Sequence, residues 1–176
     1  MNLPLPFKSA RALYGALAAV CIGLLGFGYY LQYFAGQEPC PLCIFQRIAY
    51  FVVACVGLVG AIHAPKGACR LGYSGAILLS ALVGLAIAGR QVWLQHLPAD
   101  KVPECGPGLD YMLEVFPLGD ALRMVFAGSG ECAEVTWTIL SLSIAEWSLI
   151  CFLMIAAVAM LHGWNSLPRR VKGETA

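Results

Sequence analysis

The chain has 176 residues, 60% of them hydrophobic and only 12% charged, with a formal net charge of +1. Soluble domains carry about 25% charged residues, so an ordinary soluble fold is excluded. The near-zero charge gives no basic footprint for nucleic acid. What remains is an all-α integral membrane protein, a single membrane domain over residues 1–176.

A membrane-spanning helix needs about 20 consecutive apolar residues. The first such segment, near 13–34, follows Lys8 and Arg11 as a signal peptide would. Its apolar run is too long for one and no small-residue cleavage site follows, so the segment is read as retained. A short loop at 35–41 carries E38-P-C-P-L-C-I-F-Q-R47, with Cys40 and Cys43 in C-x-x-C spacing and Arg47 four residues on. The second span runs near 42–64 and a tight turn at 65–70 leads to the third, near 71–94. A long loop at 95–143 precedes the fourth span near 144–164. The expectation is a four-transmembrane-helix bundle with its long loop between helices 3 and 4.

Basic residues near span ends set orientation. Lys8, Arg11, Lys66, Arg70, Arg169, Arg170 and Lys172 fall on one side, which is read as cytoplasmic with both termini. The 35–41 and 95–143 loops then face outward. The long loop is acidic, with Asp100, Glu104, Asp110, Glu114, Asp120, Glu131 and Glu134 against Lys101 and Arg123. A solvated surface and a face for a basic or neutral partner both fit.

This topology sorts the eight cysteines. Cys21, Cys55 and Cys151 fall within spans, where cysteine acts as a small hydrophobe. Cys69 falls at the cytoplasmic turn, where thiols stay reduced. Cys40, Cys43, Cys105 and Cys132 face outward, where pairs read as disulfides. Four cysteines allow three pairings. A C-x-x-C bridge closes too small a loop to stabilise by chain entropy, which favours redox chemistry over a staple. A zinc site is disfavoured because Cys105 and Cys132 lie 27 positions apart, unlike the close pairs of structural zinc. Haem attachment needs a histidine after the second cysteine, where Ile44 stands. No metal is expected.

Pro41 suits a first helical turn. Cys43 would then lie among unpaired backbone N–H groups, which favour thiolate, with Arg47 one turn deeper on the same face. An ionisable group at the apolar boundary is a functional candidate, although a snorkelling arginine would look the same. A thiolate beside Arg47 at a lipid interface can hand electrons to a quinone, which takes the two that a thiol pair delivers and whose developing charge the guanidinium would stabilise. Cys105 in P-E-C-G-P-G and Cys132 in G-S-G-E-C are flanked by breakers, so both are expected to be mobile and accessible. Between them Leu118, Leu122, Val125 and Phe126 recur at helical spacing. They suggest a short amphipathic helix, either on the membrane surface or packed on the bundle ends. Gln91, Arg90 and His96 fall near the outer end of the third span, and His63 and His162 at the inner edge. S80-x-x-x-G84-x-x-x-A88 and Gly23, Gly57 and Gly60 are small residues suited to close helix packing.

These residues resemble the disulfide bond formation protein B (DsbB) family of bacterial inner membranes. The likeness spans essentially the whole chain and is most specific at C40-P-L-C-I-F-Q-R47. G128-S-G-E-C-A-E134 and G89-R-Q-V-W-L-Q-H96 also match, the latter bringing Gln91 and His96 into corresponding positions. The resemblance implies a protein-disulfide:quinone oxidoreductase with two redox disulfides, Cys40–Cys43 and Cys105–Cys132. It implies that reduced DsbA, a periplasmic thiol oxidase, attacks at Cys105. Cys132 then attacks Cys40, and Cys43 engages quinone under the influence of Arg47, with Gln91 and His96 as further quinone-binding candidates. Ubiquinone is the expected acceptor, menaquinone the anaerobic alternative. Gln46 departs from relatives that carry a charged residue there, and the sequence between Cys105 and Cys132 matches loosely. A vitamin K epoxide reductase-type enzyme is disfavoured because its C-x-x-C lies toward a later helix. A disulfide-stapled scaffold would be indifferent to replacement of Arg47. A carrier running electrons across the membrane would need paired thiols mid-membrane, and Cys21, Cys55 and Cys151 are unpaired in sequence.

Overall fold

The computed structural model describes residues 9–102, 111, 114–128, 130–135 and 137–166. Cys105, Lys8, Glu104, Asp110, Arg169, Arg170 and Lys172 lie outside the described residues. Four helices are long and apolar enough to cross a membrane: α1 (Ala10–Phe34), α2 (Pro41–His63), α3 (Ala68–Gln95) and α6 (Ile144–Ser166). Between α3 and α6 lie a 3₁₀ turn (Ala99–Lys101), helix α4 (Leu118–Ala127), helix α5 (Gly130–Ala133) and a two-stranded hairpin, β1 (Thr138–Ile139) with β2 (Leu142–Ser143).

The helix ends follow local chemistry. Ser9 caps α1, its hydroxyl accepting from the Ala12 N–H at 3.2 Å, which starts the helix three residues before the hydropathy does. Pro41 occupies the first turn of α2, where a missing N–H costs nothing. The sequence S143-I-A-E146 forms a reciprocal capping box at α6. The Ser143 N–H donates to Glu146 Oε2 at 2.7 Å and the Glu146 N–H to Ser143 Oγ at 3.2 Å. The hairpin was not expected. Its two central residues, Leu140 and Ser141, have φ of 52° and 68°, the left-handed pair of a type I′ turn. Asn-Gly normally announces that turn, and Leu-Ser does not.

α1 packs on α2, α2 on α3, and α3 on α6. The central core is formed by Leu13, Tyr14, Val53, Ile77 and Phe152, all almost fully buried. Phe152 stacks on Tyr50 with ring centroids 4.1 Å apart. Gly84 makes room for it, because a Cβ there would run into the Phe152 ring. Gly57 and Gly60 likewise admit Tyr14 and Ala18 of α1, with a Cβ at Gly57 meeting Tyr14 O at 3.0 Å. Gly23 does not share this role, since a Cβ there would meet nothing within 4 Å. Val20, Phe51, Leu79 and Met154 are exposed around the bundle, an apolar belt suited to lipid.

One end of the bundle is tied by polar contacts. Tyr14 OH donates to Arg70 O and bonds Ser74 Oγ, both at 3.1 Å, and Arg70 Nε donates to His162 Nε2 at 2.9 Å. His63 bonds the Tyr73 hydroxyl at 3.0 Å. The thiols lie at the opposite end. There a second cluster unites Cys40, Leu42, Ile87, Leu94, Val125 and Cys132.

Candidate functional site: three thiols above an apolar cavity

Cys40 is the N-cap of α2. Its sulfur accepts from the Cys43 N–H at 3.4 Å, so the C-x-x-C spacing itself turns both side chains to one side of the helix start. The two sulfurs stand 2.9 Å apart. Cys132, on α5, is fully buried and hydrogen-bonds Cys40. Its expected accessibility is therefore not found. Gly128, at φ 85° and pressed on Leu94, turns the chain so that α5 folds inward. Hydrogen bonding to Cys132, then to Cys43, together with burial, holds the Cys40 thiol well above its usual pKa.

Gln91 of α3 reaches into this group. Its amide nitrogen donates to Cys43 Sγ at 3.2 Å and to Cys40 Sγ at 3.4 Å. Its oxygen accepts from Gln46 Nε2 at 2.6 Å. Both glutamines are buried, at 5% and 6% exposure. The sequence marks Gln46 only as a departure from relatives with a charged residue there; its partner on α3 gives it a role. The shared α2 face, with Cys43 and Gln46 three apart, was the available signal.

Arg47 is held by α1. Its guanidinium donates to Gln32 Oε1 at 2.5 Å and to Gly28 O at 3.0 Å, and lies 4.9 Å from the centroid of the Tyr29 ring. The polar group on the Cys43 thiol is thus Gln91, while Arg47 lines the adjoining cavity. His96 caps α3 on the outside of the bundle. Its Nδ1 bonds Val92 O at 2.9 Å and its Nε2 faces Glu146 Oε1 at 3.9 Å, away from the thiols. Arg90 donates to Phe126 O at 3.1 Å and lies over Trp93. α4 buries Val125 into the thiol-end cluster and leaves Met124 and Phe126 exposed, so it packs on the bundle while turning apolar side chains outward.

Beneath the thiols is a cavity of about 320 Å³. Leu24, Phe27 and Leu31 of α1 and Trp147 of α6 wall it, and Cys43, Arg47 and Gln91 reach it. It lies where, among the described residues, α1 and α6 share no broad contact. Mostly apolar walls with a few convergent polar groups are the makeup of a small-molecule site.

The family model for disulfide bond formation protein DsbB matches residues 10–162. The chain belongs to the DsbB family. Disulfide bond formation protein B of Azoarcus sp. (strain BH72) is 48% identical over 165 residues, covering 94% of this chain and 97% of the relative. Its namesake in Aromatoleum aromaticum is 50% identical over 153 residues, 87% of this chain and 92% of the relative. That of Methylococcus capsulatus is 48% identical over 169 residues, 94% and 99%. Membership makes this chain a disulfide-bond-forming protein with an oxidoreductase role, and the four long apolar helices fit a multi-pass membrane protein.

Proposed function

We propose that this DsbB-family chain is a protein-disulfide:quinone oxidoreductase of the bacterial inner membrane, reoxidising a DsbA-like periplasmic thiol oxidase at the expense of ubiquinone. The observation that carries the reading is the meeting of Cys40, Cys43 and Cys132, the first two of which line a largely apolar cavity that Arg47 and Gln91 also reach. Both termini are cytoplasmic and the active cysteines periplasmic in this reading. The basic Lys66 and Arg70 at the opposite end support that placement.

The relay balances as two-electron exchange. A thiolate of reduced DsbA attacks Cys105 of the Cys105–Cys132 disulfide, forming a mixed disulfide and freeing Cys132. Cys132 attacks Cys40, so the Cys40–Cys132 bond forms as Cys40–Cys43 breaks. The second DsbA thiol closes the DsbA disulfide and releases Cys105. Cys105 then recovers Cys132, leaving Cys40 and Cys43 with two electrons and two protons. These pass to quinone, a substrate that arrives and leaves through lipid, and the Cys40–Cys43 bond re-forms as quinol departs. The contact between Cys132 and Cys40 supports the second exchange. Gln91 orients the Cys43 sulfur at the cavity, and Arg47 offers a cation where charge develops on a quinone oxygen. The demand on the acceptor is set by DsbA, whose potential near −120 mV is an established property of that partner. Each further 30 mV is worth about 1.4 kcal/mol for two electrons, which favours ubiquinone, with menaquinone serving without oxygen.

The test mixes the purified protein with reduced DsbA and ubiquinone-1 and follows the oxidised-quinone absorbance. Turnover that disappears in Cys43→Ser and in Cys105→Ser is the expected result. A folded protein with intact disulfides that reduces no quinone would refute the proposal and favour a scaffold.

A further inference from the structure

The floor of the cavity carries a second polar group that the relay does not use. Tyr50 of α2 and Ser148 of α6 both line it. The Tyr50 hydroxyl stands 3.0 Å from Ser148 Oγ and 3.3 Å from Ser148 O. Both residues are buried, at 7% and 9% exposure. The Tyr50 ring is fixed by its stack on Phe152, so its hydroxyl has a defined place. Two hydroxyl protons are present; Tyr50 OH reaches Ser148 O at 3.3 Å and the Cys151 thiol also bonds Tyr50, so a ligand carbonyl would compete with these partners for the Tyr50 proton. The carbonyl at 3.3 Å is a long partner for it, against about 2.7–2.8 Å for an ordinary O–H···O bond.

Along α2 the cavity is lined by Cys43, Gln46, Arg47 and Tyr50, with the apolar Leu24, Phe27 and Leu31 of α1 facing them. Cys43 and Gln91 mark the mouth, Tyr50 and Ser148 the floor. Seven residues separate Cys43 from Tyr50 along α2, ~10 Å of helix axis. Two polar groups about two helical turns apart along one wall suit a single ring with an acceptor oxygen on each side. A para-quinone has this symmetry, with two acceptor oxygens on opposite sides of one ring. Resting on the quinone reading above, we infer that the Tyr50–Ser148 pair is the distal pole of the quinone site, donating a hydrogen bond to the carbonyl remote from Cys43. Arg47 and the thiols then serve the proximal carbonyl, and the two poles fix the ring along the α2 axis. Tyr50 is a positioning and specificity residue in this arrangement, selecting acceptors with opposed carbonyls.

The experiment measures steady-state quinone reduction by the full chain with reduced DsbA as donor, varying each substrate in turn. Tyr50→Phe keeps the ring and its stack on Phe152 while removing the hydroxyl. It should raise the KM for ubiquinone-1 about 3- to 10-fold, the loss of one hydrogen bond, and leave the KM for reduced DsbA unchanged. Ser148→Ala, which frees Tyr50 from its anchor, should raise the same KM by a smaller factor. A merely structural role would move both KM values together or lower the melting temperature of both variants. An unchanged KM for ubiquinone-1 in Tyr50→Phe, or an equal rise for both substrates, overturns the inference alone. No reduction of ubiquinone-1 by the unmodified chain overturns the proposed function and this inference with it.

Discussion

Replacing Gln91 by leucine removes the amide that joins the thiol pair to α3. Leucine is close in volume, so no large cavity opens and the cost is polar. The 2.6 Å bond from Gln46 Nε2 disappears, leaving a buried donor on a residue only 6% exposed. An orphaned buried donor costs ~1–3 kcal/mol, whereas polar contacts between membrane helices average only ~0.6 kcal/mol. The orphaning term dominates, and Gln91→Leu should destabilise the bundle by about 1–2 kcal/mol. Gln46→Leu should cost about 1 kcal/mol, because the Gln91 oxygen it abandons still faces Cys43 Sγ at 3.7 Å. Replacing both partners by apolar groups should cost little more than either change alone. The cycle then shows a coupling of about 1 kcal/mol. Unfolding of the four proteins in detergent, followed by tryptophan fluorescence against denaturing surfactant, measures it. Additive effects, with coupling within about 0.3 kcal/mol of zero, would show that the glutamines act separately and refute the reasoning.

Three further outcomes follow from the geometry. Cys40 has a raised pKa, so in the reduced protein its thiolate is a minor species at pH 7 and grows about tenfold per pH unit. Iodoacetamide labelling of Cys40, read by mass spectrometry, should climb up to pH 9 without a plateau; a plateau below pH 8 contradicts the raised value. Arg47→Lys keeps the charge but replaces the two guanidinium nitrogens that reach Gln32 Oε1 and Gly28 O by a single ammonium. Ubiquinone-1 reduction should slow about tenfold, the worth of a charge-assisted hydrogen bond, and a rate within twofold of the unmodified chain would dismiss the bridge. Gly84→Ala puts a methyl group into the Phe152 ring; a loss of about 1–3 kcal/mol is expected, partly recovered by adding Phe152→Leu, and absence of recovery in thermal unfolding would point to another cause.

The long-range plan was legible because lipid imposes it. Each spanning helix must be about 20 apolar residues, so hydropathy located all four, and their ends moved by at most three residues, as where the Ser9 cap starts α1 at Ala10 and α3 starts at Ala68. The approach of Cys40 to Cys43 was legible for the same local reason, since C-x-x-C at a helix start leaves little choice. The partners across helices were not. Nothing near Gln46 announces that Gln91 lies opposite, and nothing near Arg47 announces Gln32 on α1. Flanking glycines suggested an exposed Cys132, yet the freedom at Gly128 is spent on turning the chain inward under Leu94. His96 shows the converse limit. Its place in the chain resembled the family, but as the α3 cap its ring turns to Val92 O and Glu146.

The hairpin after α5 has a kinetic consequence. Its turn is fixed by two left-handed residues, and Trp147 Nε1 donates to Ile139 O at 3.0 Å, tying it to α6. Cys132 is thereby presented to Cys40 by a braced segment instead of a free tether. Flexible linkers give effective concentrations of only ~mM, whereas well-oriented intramolecular partners reach about 10⁵–10⁸ M. In the proposed relay, this bracing should make the attack of Cys132 on Cys40 faster than a free tether of the same length would allow. If the proposed relay holds, its pace then falls to the encounters at its two ends, one with a thiol partner in water and one with quinone in lipid.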